Sequence, residues 1–324
     1  MQGDFFLTQW VFLGMQWLFE NVTGESIALT VVISTLIIRA ITIFGDIKSR
    51  KSSLKMQAVQ PQLDRIQKKY EKDPEKLNRE RQKIMRENNV SMFGGCLPML
   101  ITMPLFFVFI AAFRQWGNEM MVRLIVALQE NEEAGLKMFE NFRFLWVNNI
   151  WMADSGLQPV ISTAQNFLAQ ANELPRLLYF RDNPAAVELF ERLGFFVQDG
   201  NGGYALATLT EEVVAKYNEV MAPCVNLYAG YNNGWFIFPL LCGGTTFLST
   251  WIMQRNQPQN NSAAAGSNKM MQWLMPAMTF VFCLTSNAAF ALYWTVSNLV
   301  SMVTTFFINR SFAKKSELLE GQAK

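Results

Sequence analysis

The sequence predicts an all-α polytopic membrane protein: a five-helix transmembrane core with a cytoplasmic helical hairpin and an N-terminal interfacial helix. Three observations carry this. Hydrophobic residues make up 51% of the 324-residue chain against 17% charged, with 27 Phe, 18 Met and 9 Trp. Five apolar segments approach the roughly 20 residues that a helix needs to cross hydrocarbon. Charge is also segregated: residues 46–91 carry thirteen basic and seven acidic side chains, whereas 117–234 carry seven basic and fourteen acidic.

The elements follow in order. Residues 1–25 contain FFLTQWVFLGMQWLF, short for a span and closed by Glu20, which reads as an interfacial amphipathic helix. The first Lys or Arg is Arg39, so neither the basic start of a signal peptide nor an Arg-rich presequence is expected, although a segment removed earlier would leave no trace. The first span (26–45) holds SIALTVVISTLIIRAITIF. In the hairpin (46–91), Met56, Val59, Leu63, Ile66 and Tyr70 recur at the 3,4 spacing of a coiled-coil seam, and Pro61 is expected to kink that helix. Asp73-Pro74 supplies an N-cap and a proline at the first helical position of the second helix. That helix carries Leu77, Ile84 and Met85 as sparser apolar contacts and ends at Asn88-Asn89.

The second span (92–116) holds CLPMLITMPLFFVFIAAF. Residues 117–234 form an outer region, in which 154–231 is an acidic insertion with helix-like NPAAVELFERLGFF and TLTEEVVAKYNEVM on either side of the turn-like DGNGGY. The third span (235–254), a cytoplasmic loop (255–269), a hairpin of the fourth and fifth spans (270–309) turning at Ser286-Asn287, and a tail (310–324) complete the chain. Lys48, Arg50 and Lys51 follow the first span, Arg255 the third and Arg310 the fifth. With five spans these sites share one side, so the N-terminus is outside and the C-terminus cytoplasmic.

Absences narrow the chemistry. The chain has no histidine, which removes His-based catalysis and imidazole metal sites. Cys96, Cys224, Cys242 and Cys283 are scattered without a CxxC pair, and no phosphate-binding glycine motif or nucleophile elbow occurs. No metal, cofactor or catalytic residue is expected, and no sequence-specific nucleic-acid binding. An intramembrane hydrolase would need a Ser–Lys pair, and no Lys lies within a span. A transporter or channel is the alternative of another class. Against it stand the lack of an inverted repeat and of acidic residues in the spans.

One residue stands out. Arg39 lies inside the first span, about 10 Å from its cytoplasmic end at 1.5 Å per residue. A central arginine costs about 2.5–3.5 kcal/mol on insertion scales, and none of the five spans as bounded above contains Asp or Glu to offset it. Two readings fit: the side chain snorkels to the interface, or it faces a water-filled cavity. Thr35 one turn earlier, Thr102 in the second span, and Thr295, Ser297 and Asn298 in the fifth would line such a cavity. The expectation is an arginine without a partner in its own protein, open to an acidic guest. The basic hairpin beside an anionic leaflet would attract lipid headgroups or acidic partners.

Read with their local sequence, these features resemble the YidC family of membrane protein insertases, whose members include bacterial proteins related to the mitochondrial and chloroplast insertases. TLIIRAITI resembles its arginine-bearing span, KMQAVQPQLDRIQKKYEKDPEKLNRERQKIMRENNV its cytoplasmic hairpin and GGCLPMLITMPLFF its second span. NKMMQWLMPAMTFVF and ALYWTVSNLVSM resemble its last two spans, and FRFLWVNNIW the short segment that closely precedes its third. The matches occur in the family's order over roughly two thirds of the chain.

The resemblance implies insertion and folding of nascent membrane proteins in a bacterial plasma membrane, alone or beside the Sec translocon, through a groove open to cytosol and lipid. It maps the family's arginine to Arg39 and its substrate contacts to Thr35, Thr102, Tyr293 and Trp294. Nascent chains, the Sec translocon, the ribosome, signal recognition machinery and anionic lipids are the implied partners. Where the family often has a proline after the arginine-bearing span, this chain reads IFGDIKS and lacks it.

Overall fold

A computed structural model describes residues 6–88, 97–168, 174–200, 202–254 and 263–322, with side chains placed outside 49–50, 53–54, 57, 97–103, 253–254, 263–271 and 312–322. Twelve α-helices and one short 3-10 turn (Leu174–Arg176) appear among the described residues: α1 (Phe6–Asn21), α2 (Ile27–Lys69), α3 (Pro74–Glu87), α4 (Leu97–Glu130), α5 (Glu132–Glu140), α6 (Ala164–Leu168), α7 (Leu178–Asp182), α8 (Pro184–Arg192), α9 (Glu211–Leu227), α10 (Ile237–Gln254), α11 (Ala263–Cys283) and α12 (Ala288–Gln322). A short antiparallel pair, β1 (Phe196–Gln198) and β2 (Tyr204–Leu206), interrupts an otherwise helical chain. Ile27–Lys48 and Ala288–Ser311 are long and apolar enough to cross a membrane, and Ile237–Ile252 and Gln272–Cys283 are shorter apolar helices. The chain forms two compact units. One comprises residues 1–31, 108–240 and 281–292, and the other 32–107, 241–280 and 293–324.

In the first unit, α1 buries Thr8, Phe12, Met15 and Phe19, spaced by four, three and four, against the C-terminal half of α4. Phe19 meets Trp116 edge-on at 5.6 Å, and Trp116 meets Trp151 at 5.0 Å. The outward face of α1 is also apolar, with Phe6, Trp10, Leu13 and Trp17 exposed. Gln16 donates to Glu119, which also holds Arg123 at 2.8 Å. Burial pushes the Glu119 carboxyl above the usual range, and the adjacent Arg123 only partly opposes this. Gly24 and Glu25 then adopt positive φ and turn the chain into α2.

The lobe within residues 117–234 begins with local caps: Asn131 accepts from Ala134 at α5, and Thr210 accepts from Val213 at α9. The two helix-like stretches of the insertion became α8 and α9. The glycine-rich turn joins β1 to β2, with Asp199 accepting from the Gly203 amide at 2.9 Å. The strand pair was missed because each strand has only three residues, too short for alternation to show. Phe180, Phe190 and Phe196 form an aromatic core with centroids 4.9–5.1 Å apart. Tyr217 of α9 is buried and donates to the Ser162 carbonyl at 2.7 Å.

The base of this lobe is a polar clamp. The Asn149 amide donates to the Asn233 side chain at 2.8 Å, the Asn233 side chain donates back to the Asn149 carbonyl at 2.9 Å, and Asn149 Nδ2 reaches the Val160 carbonyl. The segment FRFLWVNNIW and the start of α10 therefore touch across the lobe, with Trp146 and Phe238 rings 4.8 Å apart. A lobe whose two ends meet at one point costs the rest of the fold little.

Helix α2 runs unbroken from Ile27 to Lys69, through IFGDIKS and through Pro61, and supplies the second unit from residue 32 onward. No break separates the first span from the hairpin's first arm. Proline at position 61 forfeits one backbone bond, but the flanking turns keep the helix continuous. Asp73 caps α3 by accepting from the Lys76 amide at 3.1 Å, with Pro74 at the first position. Val59, Leu63 and Met85 are buried together, with Met56, Ile66 and Ile84 packed against them. Leu63→Asp is expected to destabilise this small seam by about 2 kcal/mol. Hydrogen exchange would then quicken over residues 56–88 and stay unchanged in α8 and α9. Protection lost across both regions would contradict an independent hairpin. Gly243 of α10 lies against α11, where an added Cβ would meet the Pro276 carbonyl at 3.3 Å and Phe280 at 3.2 Å, the close approach that small residues permit between apolar helices.

Candidate functional site

Apolar helices bury polar side chains only where those can satisfy one another. The second unit has such a cluster on α2, α10 and α12. Arg39 projects from α2 and donates to the Ser297 hydroxyl of α12 through Nε at 2.8 Å and also through Nη2. Its Nη1 lies 3.7 Å from Asp46 Oδ2, with the two side chains 21% and 37% exposed. Arginine 39 therefore has partners in its own protein, contrary to the sequence expectation. Asp46 lies seven residues further along the same helix, two turns away on the same face. That spacing is legible in the sequence, but the first span as bounded ends at residue 45, one position short of it.

The pair is loose. A charge-assisted N–H···O bond has its atoms about 2.7–2.9 Å apart, well inside the observed separation. Ser297 supplies the closer contact, and its forked acceptance fixes the plane of the guanidinium. Half of the arginine's donor edge thus points at a serine and half at a partly exposed carboxylate.

One turn along α12, the Trp294 indole donates to Thr246 of α10 at 3.0 Å, and Asn298 donates to Thr245 at 3.1 Å and Thr246 at 2.9 Å. Thr295 and Cys242 are 3.5 Å apart and both buried. The Trp294 ring meets Phe106 of α4 edge-on at 5.2 Å. Sequence reading had not found Thr245 and Thr246. Threonine in a membrane helix commonly bonds its own backbone, so the residue type alone gives no signal.

The named positions thus separate by accessibility. Arg39, Trp294 and Asn298 are partly exposed, whereas Ser297 and Tyr293 are buried and Thr35 is fully so. Thr35 sits in the interior and offers no accessible surface. The Thr102 side chain lies outside the described residues, as does Cys96.

The first unit holds a second polar centre that the sequence did not reveal. The buried Asp154 carboxylate accepts from the Trp146 indole at 2.8 Å and from the amides of Trp235, Phe236 and Phe238 at 2.5, 3.0 and 2.7 Å. It therefore caps α10 from 81 residues upstream. Gly234, at φ +79, passes so close to this carboxylate that any Cβ would collide with it. Phe236 also takes a positive φ of 63° as the chain turns into the helix.

The family model for the 60Kd inner membrane protein matches residues 18–192 and 204–315. It runs through most of the region read as an insertion and leaves out only 193–203, which includes β1 and the turn after it. Membrane protein insertase YidC of Clostridium perfringens is 25% identical over 287 residues, covering 88% of this chain and 79% of the relative. Membrane protein insertase MisCA of Bacillus subtilis is 22% identical over 300 residues, covering 91% and 75%. Membrane protein insertase YidC 2 of Listeria innocua is 22% identical over 319 residues, covering 96% and 75%. A match of that extent, spanning the arginine-bearing helix, the hairpin and the paired helices at the end of the chain, means that this chain belongs to the 60Kd inner membrane protein family.

Proposed function

We infer that this chain is a membrane protein insertase that admits nascent membrane proteins along the face bearing Arg39, Trp294 and Asn298. The observation that carries the reading is the Arg39–Ser297–Asp46 cluster, held by hydrogen bonds to Ser297 and a looser ion pair with Asp46 on helices that are largely apolar around it. Family membership and the insertase names of its relatives support it. Five helices form the proposed core: the first parts of α2 and α12, the inner part of α4, and α10 and α11. The N-terminus is outside and the C-terminus cytoplasmic, in a bacterial plasma membrane. The Sec translocon, ribosome and signal recognition machinery are proposed partners, and anionic lipids are proposed to attract the basic hairpin.

The mechanism needs no covalent step. A translocated segment must carry carboxylates and peptide groups across hydrocarbon, where unsolvated polar groups cost several kcal/mol each, as an order of magnitude. A hydrated groove that reaches the arginine shortens this path. The incoming carboxylate exchanges for Asp46 on the outer edge of the guanidinium while Ser297 keeps the group in place. Trp294 and Phe106 offer an aromatic flank to the apolar part of the guest.

Photocrosslinkers placed at Trp294 and Asn298 are expected to capture ribosome-bound nascent chains stalled during insertion. A crosslinker at the buried Thr35 should capture far less, and one at Trp10 on α1 none. Equal capture from all four positions would mean that the face is not selective, and the site assignment would fall.

A further inference from the structure

Two ladders of side chains face each other in the second unit. Ile43, Ile47 and Lys51 recur every four residues on α2, and Val303, Phe307 and Ser311 do the same on α12. Together they line a cleft of about 590 Å³, within the roughly 300–1,000 Å³ of small-molecule sites. Each ladder climbs about 12 Å along its helix. On both helices the apolar members come first, and the polar one stands at the C-terminal end. Thr304 and Ile308 of α12 complete the lining, so the cleft is graded, mostly apolar inside with the Lys51 ammonium at one mouth, where the Ser311 hydroxyl donates to the Phe307 carbonyl at 2.9 Å.

That gradient matches a phospholipid. We propose that the cleft is a discrete site for one anionic phospholipid, with an acyl chain between the isoleucine and valine–phenylalanine ladders and the headgroup phosphate on Lys51. Basic pockets between membrane helices select anionic headgroups, and lysine binds phosphate as a compact point charge. The net positive stretch from residue 46 to 91 adds the same sign of field at that mouth. A built site differs from diffuse attraction to the hairpin, because it saturates at one lipid and depends on two named ladders. The inference rests on the membrane-spanning reading of α2 and α12 and is independent of insertase activity.

The test uses the full-length chain in detergent, titrated with phosphatidylglycerol or phosphatidylcholine and read by native mass spectrometry. The expected result is one retained lipid per chain, with phosphatidylglycerol held about fivefold more tightly than phosphatidylcholine, the preference that one lysine near a headgroup supplies. Lys51→Gln, a conservative change at an exposed position, should erase the preference. Val303→Trp should fill the cleft and remove either lipid. Equal retention of both lipids by the unaltered chain would overturn the proposal, as would a preference that survives both substitutions, because the hairpin's charge would then explain it. Displacement of the lipid by millimolar inorganic phosphate would also overturn it, in favour of a free-anion site. If either variant stopped inserting nascent chains while its lipid preference stayed intact, the cleft would belong to the substrate instead.

Discussion

Arg39→Ala is expected to lower insertion of substrates with acidic translocated segments about tenfold, equivalent to about 1.4 kcal/mol of lost attraction. Substrates without acidic residues should change far less. Arg39→Lys keeps the charge but cannot reproduce the forked contact of Nε and Nη2 with Ser297, so intermediate activity is expected. The ion pair makes the expectation sharper. Asp46 competes with the guest for the same guanidinium, so Asp46→Asn should raise insertion of acidic substrates severalfold while leaving neutral ones unchanged. Proteoliposomes carrying each variant, scored with paired acidic and neutral substrates, provide the measurement. If Arg39→Ala inserts both substrates as the unaltered chain does, or if Asp46→Asn inserts acidic ones less well, electrostatic capture has no part in the mechanism.

Asp154→Ala should have the larger effect on the folded protein itself. The substitution removes four hydrogen bonds to one buried carboxylate and leaves the amides of Trp235 and Phe236, which lead into α10, and of Phe238 in its first turn without that acceptor. Charge-assisted bonds contribute about 1.5–3 kcal/mol each and are not additive, so a total cost of about 3–5 kcal/mol is reasonable. Asp154→Asn keeps the shape but loses the charge that favours a helix N-terminus, so it should cost less. Thermal unfolding in detergent, followed by accessibility of the buried Cys242 on α10, gives the readout. An Asp154→Ala protein that melts with the unaltered chain would show that the cap contributes nothing to anchoring α10.

Much of the helix layout was legible because its signals are local. The Asp73-Pro74 start of α3, the seam through Val59 and Leu63 and the turn before α12 each depend on neighbours within one or two turns. Asn287 illustrates this: it was read only as part of a turn, and it caps α12 by accepting from the Phe290 amide at 2.9 Å. The candidate site was legible in its residue types but not in its pairings. Arg39, Ser297, Trp294 and Asn298 were all picked out, yet Thr35 was given an open surface that it lacks, and the threonines that hold Trp294 and Asn298 were not found.

What the amino-acid order determined by itself is the succession of apolar helices, the charged hairpin between the first two, and the family to which those stretches belong. Hydropathy, periodicity and capping act along the chain, so they can be read without knowing what packs where. The packed structure alone decided that Arg39 meets Ser297 of α12, 258 residues away, and that Asp154 closes the start of α10. A buried polar group must find its partner from whichever segment the fold brings within about 3 Å, and no spacing in the chain encodes that choice.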